Sequence, residues 1–141
     1  MNTRRQRYED KMVVLILARA RDYVANHPKK MCTQFDAVRS AGRFYRMDQG
    51  GEKYDAINNA VSRIERYMRA HLYPHPTLAA WLRLHSPAFA RLYNHDDRST
   101  AVNDVRTALR DARVAWLQHM HDVSLEYVEH TYGKKFAANC K

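Results

Sequence analysis

Between residues 54 and 69 lie five side chains able to read DNA: Asn58, Asn59, Ser62, Arg63 and Arg66. Asn and Arg can each make two hydrogen bonds to a purine edge, and Ser can bond to a base or a phosphate. Their spacing matters as much as their type. In the same segment Ile57, Val61, Ile64 and Met68 recur at intervals of four, three and four. That is the period of one buried helix face, and the polar residues fall mostly off it. A helix buried on one side and polar on the other has the form that enters a major groove. Asn, Ser and Arg also populate ordinary solvated helix faces, so the pattern suggests this chemistry without specifying it.

Other arginines stand where phosphate contacts would be useful. Arg39, Arg43 and Arg69 flank the segment, and Arg106, Arg110 and Arg113 repeat at four and three to form a stripe. Asp104 and Asp111 lie at helical neighbour spacing and neutralise part of that stripe. Phosphate contacts position a protein on DNA but carry no sequence information.

The remaining reactive residue types form no catalytic or metal pattern. His71 and His75 straddle Pro74, and His119 and His121 are two apart, which on a helix separates them widely. His95-Asp96-Asp97 reads as a turn before a helix. There is no HExxH, no Cys-x-x-Cys and no Gly-rich phosphate loop. Glu9, Asp10, Glu126 and Glu129 sit near the termini with no fixed partner visible, and Cys32 reads as incidental. No enzyme activity, cofactor or metal is expected.

The elements that must position these residues are helical. The pattern predicts a first helix over about 5–26, ended by His27-Pro28, because Pro disfavours helical geometry in the residue before it. Thr33 caps a short second helix over 33–41. A loop containing Gly50-Gly51 leads to a third helix over about 52–72. The gap from Met47 to Lys53 is longer than the turn of a simple helix-turn-helix. Thr77 caps a helix over 78–84, and Ser86-Pro87 opens another with Phe89 and Leu92 inward. Ser99 or Thr100 caps a long helix through Trp116, and a last one occupies 124–132, stopped by Gly133. The seam Val102, Val105, Leu109, Ala112, Trp116 suits either an internal core or a dimer interface.

Composition bounds the rest. The chain has 141 residues, 45% hydrophobic and 28% charged, enough for one globular domain with a real core. Its 4 Gly and 4 Pro leave room for long helices. No apolar run approaches the ~20 residues of a membrane span. The stretch from Met12 to Ala18 runs directly into Arg19-Ala20-Arg21 and reads as a buried helix rather than a secretion signal. Two distant cysteines, Cys32 and Cys140, build no framework, and the cytoplasm is the default compartment. A net charge of +9 calls for a polyanionic partner, nucleic acid first.

The expectation is an all-α, single compact domain over 1–141. It has about six or seven helices and a helix-turn-helix-like pair at 33–72. A basic arm at 1–7 and a basic tail at 134–141 are expected to be mobile. The expected function is sequence-specific DNA binding that regulates transcription. Asn58, Asn59, Ser62, Arg63 and Arg66 would read bases, and Arg39, Arg43, Arg69, Arg106, Arg110 and Arg113 would hold phosphates. Duplex DNA is the main partner, RNA polymerase or another protein a second, and a second copy a third. The alternative is a small basic interaction module that binds and modulates another protein without touching nucleic acid.

Overall fold

The computed structural model describes residues 3–27, 33–72 and 102–140. These form five α-helices: α1 (Arg4–Asn26), α2 (Gln34–Arg46), α3 (Gly51–Leu72), α4 (Val102–Tyr132) and α5 (Lys134–Ala138). No strand occurs among the described residues, so the all-α class holds. The expected six or seven is a count for the whole chain, of which the described residues hold five. The two helices expected within 78–92, with Trp81 and Phe89, lie outside the described residues. The two expected at the C-terminal end are one, because no Gly or Pro interrupts the 31 residues of α4.

Thr3 starts α1: its hydroxyl accepts from the Gln6 backbone N–H at 3.1 Å. Arg4, Arg5 and Arg7 are therefore helical rather than part of a free arm. Met12, Val13, Val14, Ile16, Leu17, Ala20 and Val24 are all buried. The helix is apolar around much of its circumference because it packs against α2, α3 and α4.

A reciprocal cap opens α2. The Thr33 hydroxyl accepts from Asp36 N–H, and the Asp36 carboxylate accepts from Thr33 N–H, each at 3.2 Å. Beyond Arg46, Asp48 and Gly51 adopt left-handed backbone, with φ of 65° and 61°. Gly51 meets no steric cost there, and α3 begins at it. The connection is thus only Met47–Gly50, shorter than expected. Ile57, Val61, Ile64 and Met68 are buried together, as their spacing requires. The two helices meet at Gly42, where an added Cβ would lie 2.5 Å from Val61 Cγ2. A packed helix pair of this kind occurs in many all-α folds and does not by itself make a DNA-binding motif.

Trp116 and Leu117 of α4 are buried in the same core, and Ala112 one turn earlier is buried as well. That places the described part of the expected seam inside the protein rather than at a dimer interface. Gly133, at φ 94°, turns the chain into α5. Ala137 and Cys140 then pack with Val14 and Val128 in a second apolar cluster. The basic tail is consequently docked as far as residue 140.

Candidate nucleic-acid interface

Arg63 does not lie on a free face. Its Nη1 donates to Asp10 Oδ1 at 2.6 Å and to Glu9 Oε2 at 2.9 Å. Asp10 is fully buried and also accepts from the Tyr132 hydroxyl at 2.5 Å. Burial alone would pull the Arg63 pKa down. The hydrogen bond and charge of Asp10, then the hydrogen bond to Glu9, outweigh it and hold the guanidinium above its ordinary value. The group ties α3 to α1, and through Tyr132 to the end of α4. Two acids that looked unpartnered in the sequence are its partners.

The other expected base readers divide. Asn58 is half-buried and accepts from Arg46 Nη1 at 2.9 Å, so its amide oxygen is engaged within the protein. Asn59, Ser62 and Arg66 are exposed on α3. The first turns of the same helix expose Glu52 and Asp55, which oppose a phosphate backbone.

The expected phosphate contacts are likewise mixed. Arg39 Nε pairs with Glu65 at 2.8 Å, and Arg69 reaches the same carboxylate at 3.4 Å. Arg110 stands 3.6 Å from Asp111 and Arg113 is half-buried. Arg106 falls among positions of α4 whose side chains lie outside those described. Arg43 is exposed and makes no ion pair among the described residues.

The structure instead gathers a cationic groove at the start of α1. Arg4, Arg5, Arg7, Tyr8 and Lys11 line it from α1, Glu52, Lys53 and Ala56 from α3, and Phe136 from α5. Its volume is ≈ 370 Å³. Among the described residues, five cations face one carboxylate. None of the five makes an ion pair among the described residues. Two are seated on rings: Arg7 lies 5.5 Å from the Phe136 centroid, and Lys53 5.8 Å from that of Tyr8. Burial raises the Tyr8 phenol pKa. The helix starts of α1 and α3 both belong to the groove, so the positive ends of two helix dipoles add to the side-chain charge.

Three arginines in the first turn of a helix are unfavourable, each by about 0.3–1 kcal/mol against the dipole. Such a local conflict with stability is expected where a ligand compensates it. That signal was present in the sequence at Arg4, Arg5 and Arg7. Lys11 extends the face by one turn, but Lys53, Tyr8 and Phe136 join it only through the tertiary fold.

Elsewhere, His121 is buried with no hydrogen-bond partner at Nδ1, Asp122 standing 3.7 Å away. No group of three or more metal-binding side chains occurs among the described residues, and no described helix is long and apolar enough to cross a membrane. No family model, curated protein or solved structure matches the chain. The groove is therefore read on its own chemistry.

Proposed function

We propose that the protein binds DNA, gripping the phosphate backbone in the groove at the start of α1. The observation that carries this reading is the convergence of Arg4, Arg5, Arg7, Lys11 and Lys53 on one groove with a single opposing carboxylate among the described residues. Phosphates would receive charge-assisted hydrogen bonds there, and displaced counterions would supply much of the affinity. Arg7 and Lys53 are steadied by the rings beneath them, which lowers the entropy lost on contact. Sequence-specific reading, and with it regulation of transcription, would fall to Asn59, Ser62 and Arg66. Arg63 takes no part in it.

The test is a set of titrations on one duplex at several salt concentrations. Arg5→Ala and Lys53→Ala should each weaken binding on any sequence and reduce the salt slope by about one unit. Arg66→Ala should cost ~1–3 kcal/mol on a preferred sequence and little on a scrambled one. Unchanged binding and salt slope in both groove variants would refute the proposal.

A further inference from the structure

Five large apolar or aromatic side chains are well exposed among the described residues, and four of them form two patches. Phe44 and Met47, 44% and 61% exposed, lie at the end of α2. They border an apolar groove of ≈ 280 Å³ against α1 whose described lining includes Arg19 and Arg43 and no carboxylate. Arg19 stacks on Phe44, its guanidinium carbon 3.3 Å from the ring centroid. Neither arginine pairs with a carboxylate among the described residues. Val123 and Tyr127, 46% and 45% exposed, sit one turn apart on α4. Glu126 shares their face at helical spacing, and Asp122 and Glu129 flank it. Glu126 and Glu129 pair with no cation among the described residues.

Both patches have the anatomy of an interface, an apolar centre with a charged rim. Their charges are opposite. The first is apolar and basic, the second apolar and predominantly acidic, with His130 and Lys134 beside Glu126 and Glu129, and one chain carries both.

We propose that the α4 face of one copy, centred on Val123 and Tyr127, docks into the Phe44–Met47 groove of a second copy. Glu126 and Glu129 then meet Arg43 and Arg19 of the neighbour. The contact joins two different surfaces, so each copy keeps its cationic groove at the start of α1 free. This self-association is independent of any nucleic-acid role.

The experiment is sedimentation velocity on the full chain across a concentration series, at low and at high salt. The wild-type protein should gain mass with concentration, less so at high salt because the rim charges are screened. Arg43→Glu and Glu126→Arg should each weaken association roughly tenfold or more, since like charges then face each other. Both positions are exposed, and unchanged circular dichroism would show that the variants remain folded. Mixing the two variants, which restores opposite charges, should recover the assembly. A wild-type chain that stays monomeric up to hundreds of micromolar at low salt would overturn the proposal. So would single charge swaps that associate as the wild type does, or a mixture that fails to recover.

Discussion

Replacing Arg63 with Met should destabilise the protein by about 3 kcal/mol, the lower end of the range for removing one partner of a buried ion pair. The structure sets where in that range the loss falls. Arg63 bonds to two carboxylates, and these differ in what they can do afterwards. Glu9 keeps 19% of its side-chain surface in water and can turn outward. Asp10 keeps 1% and cannot. Among the described residues it would retain only the Tyr132 hydroxyl as a side-chain partner. The uncompensated charge of Asp10 is thus the main cost, and the lost Glu9 contact adds little because water screens it. Met preserves most of the apolar stem, so packing loss is small. The double variant Asp10→Asn with Arg63→Met should lose less than the sum of the two single changes, by about 1–3 kcal/mol. Urea unfolding followed by far-UV circular dichroism measures both, with an unchanged m-value confirming that only stability moved. A single-variant loss within about 0.5 kcal/mol of wild type, or strict additivity in the double variant, would refute the reasoning.

Burial, and then the charge of Arg21, lower the His121 pKa from its ordinary 6.5 against the opposing pull of Asp122. The unfolded chain therefore takes up a proton that the folded chain resists. The corresponding stability is complete above the unfolded pKa and erodes as pH falls below it toward the lowered folded value. His121→Gln should flatten the fall in melting temperature between about pH 7 and about pH 5, and an unchanged profile would contradict this. Gly42→Val should cost about 1–3 kcal/mol or more through collision with Val61, and a thermal melt like the parent's would count against the close approach of α2 and α3. Cys140 is buried and its thiol pKa is raised by that burial. In a Cys32→Ser background it should react with a thiol reagent far more slowly in native buffer than in denaturant, and equal rates would mean that α5 is not docked.

Helix positions were legible where periodicity and caps spoke together. The Ile57–Met68 stripe and the Thr33 cap survive unchanged because both depend on near neighbours in the chain. The role of Arg63 was not legible. Its place off the apolar face is clear from spacing, but Glu9 and Asp10 are more than 50 residues away, and only the packing of α1 against α3 brings them within reach. The bond between Asn58 and Arg46 was not legible for a similar reason, since Arg46 reaches it across the α2–α3 turn. The groove illustrates the opposite limit. Its arginines were visible as a cluster, yet reading them as a mobile arm ignored the Thr3 cap that makes them helical. The division of α4 at residue 124 had no physical basis, because nothing before Gly133 can stop the helix.

The most direct test of the cationic groove is a map of where DNA touches the protein. Amide chemical shifts of the labelled full chain should be recorded while a short duplex is added at low salt. Binding in the groove predicts that the largest changes cluster at Arg4–Lys11, Glu52–Ala56 and Lys134–Ala138, and that they fade as salt rises. Changes absent from all three segments, or confined to the middle of α3 or to α4, would contradict it.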